Sequence, residues 1–145
     1  GRLFLMYFTS IRTQTVGTVN LFVATGGSGM TLFKVALFSV NSSGQLTGTI
    51  ASSANATSSV TVGGTATISL GSSVTLVENT RYALGILCVG TTPPTIASVA
   101  QNVAIVAKMS PQMYGHVDSL TDIPSSFPVT VGTDFGSILW CRIVP

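Results

Sequence analysis

Eight consecutive residues, Tyr82-Ala83-Leu84-Gly85-Ile86-Leu87-Cys88-Val89, are all apolar or glycine. Eight residues is the length of a strand and short for a helix, and turn residues stand at both ends. Glu78-Asn79-Thr80 precedes the run and Gly90 closes it. Asparagine suits such a turn, because its side chain bonds nearby backbone and it tolerates the left-handed region. A strand with no polar face has to be covered on both sides. The chain is therefore expected to be a β-protein built around a central strand at Tyr82–Val89.

The flanking segments fit that frame. Leu3 to Ile11 reads as a first strand with two apolar faces, Leu3, Leu5, Tyr7 and Ile11 on one and Phe4, Met6 and Phe8 on the other. Val16 to Thr25 alternates Val19, Leu21 and Val23 against Thr18, Asn20 and the apolar exception Phe22. After a flexible loop at Gly26-Gly27-Ser28-Gly29, Thr31 to Val40 sets Phe33, Val35 and Leu37 opposite Leu32, Ala36 and Phe38, with Lys34 on the latter face and free to snorkel outward. Asn41-Ser42-Ser43-Gly44 is the clearest turn, and Gln45 to Ala51 returns as its hairpin partner. Ser52 to Ser59 reads as a polar loop or edge. Asn41-Ser42-Ser43 and Asn55-Ala56-Thr57 match the glycosylation pattern, which carries weight only in a eukaryotic secretory setting.

Thr65 to Leu70 is a half-buried strand, Gly71-Ser72-Ser73 a turn, and Val74 to Val77 leads to the central strand. Thr91-Thr92-Pro93-Pro94 is a loop, and the β-branched content of Thr95 to Lys108 leans toward strand. Ser110 to Pro128 is irregular and proline-rich. After Val129-Thr130-Val131 and a turn at Gly132-Thr133-Asp134, the closing strand runs from Ser137 to Val144. There Ile138, Trp140, Arg142 and Val144 share one face and Leu139, Cys141 and Ile143 the other, with Trp140 expected in the core. These about eight to ten strands, spaced by turns, predict an all-β fold: an antiparallel, jelly-roll-like β-sandwich over residues 1–145 as one domain.

Only 7% of the 145 residues are charged, against roughly 25% in an average globular protein. A hydroxyl-rich surface with few charges is poorly protected against edge-to-edge association, so a homo-oligomer or a larger assembly is expected. The six basic residues, Arg2, Arg12, Lys34, Arg81, Lys108 and Arg142, are spread along the chain, whereas nucleic acid is bound by clusters. No apolar run approaches the about 20 residues of a membrane-spanning helix. The apolar opening to Phe8 lacks a small-residue cleavage site and reads as strand, and the missing initiator Met points to a processed or longer chain. Cys88 and Cys141 exclude a CxxC motif; they read first as buried reduced thiols, while a disulfide would need their strands adjacent or facing.

Candidate chemistry is sparse. His116 is the one histidine, no serine lies in a nucleophile-elbow motif, and the acids are Glu78, Asp118, Asp122 and Asp134. A catalytic set is not expected. Asp118 and Asp122 could in principle ligate calcium, but bonding to turn backbone is the simpler expectation, so no metal and no cofactor is expected. Sugar binding needs an aromatic ring and orienting polar groups, and Tyr114, His116 and Asp118 supply them within one segment. Tyr7 and Tyr82 read as core or corner residues, and Arg81 as fixing the turn beside Glu78.

The ordered segments Arg2–Val16, Val35–Val40, Asn79–Leu87, Thr92-Pro93-Pro94-Thr95 and Leu120–Phe127 together resemble the C-terminal domains of minor tail proteins and tail fibres of phages that infect actinobacteria. The resemblance spans most of the chain and rests on no catalytic signature. It implies a jelly-roll-like sandwich at the distal tail of a virion, the end of a longer chain, often trimeric. Such a domain sits beside other tail proteins and attaches to a host-surface glycan or protein. Two other readings stand beside it: a capsid or decoration jelly-roll, and a carbohydrate-binding module of a bacterial surface protein.

Overall fold

The computed structural model describes residues 1–100, 113–132 and 137–145. These form eleven strands: β1 (Arg2–Thr9), β2 (Gln14–Thr25), β3 (Ser28–Val40), β4 (Leu46–Ser52), β5 (Gly64–Leu76), β6 (Arg81–Thr92), β7 (Thr95–Ile96), β8 (Ser98–Ala100), β9 (Tyr114–Val117), β10 (Ser137–Leu139) and β11 (Cys141–Val144). A single 3-10 turn occupies Thr57–Val60. Every pairing is antiparallel. A five-stranded sheet runs β4-β3-β6-β1-β9, a four-stranded sheet β11-β2-β5 with β7 also on β2, and β10 pairs with β8. The fold is all-β, as the sequence predicts.

The apolar run lies at the centre of the larger sheet, between β3 and β1, with every residue from Tyr82 to Cys88 buried. Asn79 makes the preceding turn with φ of 58°. One face of β6 and β3 meets the smaller sheet. There Phe33, Val35, Leu37, Leu84 and Ile86 pack against Val19, Leu21, Val23, Ile68 and Leu70 in the main core. Each such fully buried side chain contributes about 1.5–3 kcal/mol relative to exposure.

The other face holds a second core, built on Leu3, Leu5, Tyr7, Ala36, Phe38, Leu46, Ala83 and Leu87. It is covered by a segment of the same chain, with Leu120, Ile123, Phe127, Val129 and Val131 lying on it. Phe127 meets Phe38 edge to face, with centroids 6.1 Å apart. Two strand cations tether the cover: Arg2 bonds Asp118, and Lys34 Nζ sits 2.7 Å from Asp122. The two apolar faces read from β1 and β3 are thus both satisfied, one by a sheet and one by an irregular strap.

Several expectations are corrected. Ile11 lies beyond β1 and is 86% exposed, because the strand ends at Thr9. The expected glycine loop shrinks to Gly26-Gly27, since Ser28 already pairs with Thr92. Gly71-Ser72-Ser73 does not reverse the chain: β5 runs through it as a bulge, Gly71 taking φ of 74° while the register against β2 shifts between Val16 and Thr18. Ser52–Ser59 is no free loop. Beyond β4, Ser53 Oγ accepts the Val35 N–H and Asn55 Oδ1 the Phe33 N–H, so side chains replace ladder acceptors along the β3 edge. The irregular stretch contains β9, paired to β1. Of the strand expected over Thr95–Lys108, residues 101–108 lie outside the described residues, as do Thr133 and Asp134 of the expected turn.

Candidate functional site

Tyr114, His116 and Asp118 fall at alternate positions on and just past β9, so they share one face of it. The register places Tyr114 beside Met6 and His116 beside Phe4. His116 Nε2 lies 3.1 Å from Asp118 Oδ2, and the Arg2 guanidinium grips both oxygens of the same carboxylate. That guanidinium, through its hydrogen bond first, holds the Asp118 carboxyl below the usual carboxylate range. The geometry corrects the expected role. Tyr114 is 1% exposed and His116 7%, so neither presents a ring to a ligand in this structure. Asp118 alone is exposed, and it anchors the strap. The signal missed in the sequence is the spacing itself: Tyr-x-His-x-Asp is strand periodicity inside a stretch that reads as loop. Asp122 does bond backbone, the Ile123 N–H at 2.7 Å, but its larger partner is Lys34.

Other expected roles resolve similarly. The Arg81 guanidinium lies over the Tyr7 ring, 5.0 Å from its centroid, and no ion pair joins it to Glu78 among the described residues. Cys88 and Cys141 are free thiols, and burial pushes them up to about 12 and about 11. An apolar groove of about 490 Å³ runs between Met6 and Phe8 of β1 and Leu139, Cys141 and Ile143 near the C-terminus. Cys141 Sγ lies 3.9 Å from Met6 Sδ within it. Among the described residues no three His, Cys, Asp or Glu side chains are grouped to hold a metal.

The remaining surface of note is the outer face of the four-stranded sheet. Trp140, expected in the core, is 50% exposed. Its neighbours Leu139 and Cys141 pack on the main core, so alternation turns Trp140 outward. Phe22 sits between the buried Leu21 and Val23 and is 45% exposed on the same side. Ala97 lies between them, donating its N–H to the Phe22 carbonyl at 2.8 Å and accepting that of Trp140 at 2.7 Å. Two hydrogen-bonded strand spacings, about 10 Å, separate the Phe22 and Trp140 backbones. Across β2 the same row continues to Thr65. The next row, about 7 Å along the strands, is Arg142–Asn20–Thr67, and the third Val144–Thr18–Ser69. Thr65, Thr67 and Ser69 are exposed, as is Arg142. The Asn20 carboxamide oxygen is buried without a hydrogen-bond partner.

No family model, no curated protein and no solved structure matches the chain.

Proposed function

We propose that this domain is an attachment module of a phage tail, a distal tail or tail-fibre domain that contacts the host cell surface. The observation that carries the reading is the inequality of the two outer sheet faces. The outer face of the larger sheet is covered by the chain's own strap. Among the described residues no segment covers the outer face of the smaller sheet, which carries two half-exposed aromatic rings among hydroxyl and amide side chains. Single exposed apolar residues are ordinary; two large aromatics on one polar sheet face fit a recognition surface. The ordered sequence segments that resemble actinobacteriophage tail domains support the same reading. Function here is binding, and copies held together in a trimer would gain avidity from weak individual sites.

Two measurements test it. A gold-labelled antibody to the domain is expected at the tail tip of the virion. The purified domain is expected to bind actinobacterial cells, and the Phe22→Ala/Trp140→Ala variant to lose about tenfold or more in affinity with its melting transition retained. Label on the head favours the decoration reading and overturns this one, as does a parent domain that fails to bind the cells; full cell binding by the folded variant takes the site off this face.

A further inference from the structure

The open face also specifies what kind of ligand it fits. We propose that it binds an acidic saccharide chain, with sugar rings stacked on Phe22 and Trp140 and a carboxylate paired with Arg142. The proposal rests on the attachment reading for the face it uses, and its chemistry comes from the side chains displayed there.

Aromatic side chains offer an apolar body to the apolar face of a sugar, while hydroxyl and amide groups fix its orientation. The backbones of Phe22 and Trp140 stand about 10 Å apart with the small Ala97 between them, a row whose length suits a saccharide chain rather than a monosaccharide. Thr65 and Thr67 flank the rings with exposed hydroxyls.

Charge narrows the class. Of the four other described cationic side chains, Arg2 holds Asp118, Lys34 holds Asp122, Arg81 covers Tyr7 and Arg12, away from this face, bonds the Gln14 carboxamide oxygen. Arg142 is exposed and joins no ion pair among the described residues, and no acidic residue occupies the three rows of the face. A guanidinium matches a carboxylate by two parallel hydrogen bonds, which gives it geometric as well as electrostatic preference. Directly opposite Arg142 stands the half-buried Asn20, an amide side chain on the same face.

Trp140 is the chain's single tryptophan, so its fluorescence reports directly on this face. Titration with a galacturonate tetrasaccharide is expected to change the emission saturably. A neutral glucose tetrasaccharide should bind at least about tenfold more weakly, and added salt should weaken the acidic ligand alone. Arg142→Gln, an exposed substitution that leaves the core untouched, should remove the preference for the acidic chain. The absence of a saturable response to the galacturonate chain overturns the proposal. So does an equal response to the neutral chain, or an unchanged titration in Arg142→Gln. Cell binding separates the two readings. Cells bound through Phe22 and Trp140 without a galacturonate response leave attachment standing and remove the acidic saccharide. A galacturonate response without cell binding does the reverse.

Discussion

Gly132 backs onto the imidazole of His116: a Cβ built at Gly132 would stand 2.8 Å from Nε2 and closer still to Cε1. The two residues also exchange backbone hydrogen bonds, at 3.0 and 2.8 Å. This is the point at which the strap, having crossed the second core, is stitched to the edge of β9.

Gly132→Ala is therefore expected to push the ring away or the strap off. Overpacking of this kind costs about 1–3 kcal/mol. Urea unfolding of the variant measures it; a midpoint equal to that of the parent would show that the ring yields freely.

The middle of the central strand is as tight. A Cβ at Gly85 would lie 2.6 Å from Phe38 Cε2 and 2.8 Å from Leu3 Cδ1, both fully buried. Gly85→Ala is expected to lower stability by about 1–3 kcal/mol. Leu3→Ala in the same background should return part of the loss by making room, a coupling that a double-mutant cycle reads. Additive effects would place the strain elsewhere.

Acid should loosen the strap before it unfolds the sandwich. The Arg2 guanidinium depresses the Asp118 carboxyl, and the Lys34 ammonium, with help from the Ile123 N–H, depresses that of Asp122. Groups depressed in the folded state contribute stability that is present above their ordinary value of 3.8 and is lost as pH falls through the lower folded values. Both carboxylates are exposed, so the effect is small and salt-screened. Hydrogen exchange at low pH is expected to rise across residues 118–131 ahead of β3 and β6. Simultaneous loss of protection in all three would count against two separate layers.

Burial raises both thiols, so neither is a nucleophile at neutral pH. Iodoacetamide is expected to leave the native protein unmodified and to label both cysteines in denaturant. With raised folded values, the unfolded thiols ionise first, and stability should fall as pH climbs from their ordinary value of 9.0 toward about 11. Rapid native labelling at Cys141 would show that the groove beside Met6 opens.

Much of the larger sheet is legible in the sequence because its signals are local. An eight-residue apolar run can only be a covered strand, and the alternations of Leu3–Phe8 and Thr31–Val40 sort their side chains into the two cores that the structure contains. Asn41 to Gly44 closes its hairpin for equally local reasons, Asn41 Oδ1 accepting the N–H groups of Ser43 and Gln45. What covers each apolar face is not local. Leu120 to Val131 covers a core whose first residue, Leu3, lies 117 residues before Leu120 (120 − 3), and no period in that segment announces it. Trp140 shows the same limit from the other side. Its strand has two apolar faces, and alternation alone assigns side chains to faces without saying which face is inside. That depends on where the segment docks: with β10 on β8 and β11 on β2, Leu139, Cys141 and Ile143 meet the core and Trp140 meets solvent. Tyr114 and His116 reverse the case, as polar-looking residues in a proline-rich stretch that pairing with β1 draws into the interior. The sequence by itself determined which residues form strands and which of them share a face. The tertiary structure alone decided which faces are buried, since burial is set by neighbours far along the chain: it encloses Tyr114 and His116 and leaves Phe22 and Trp140 half-exposed.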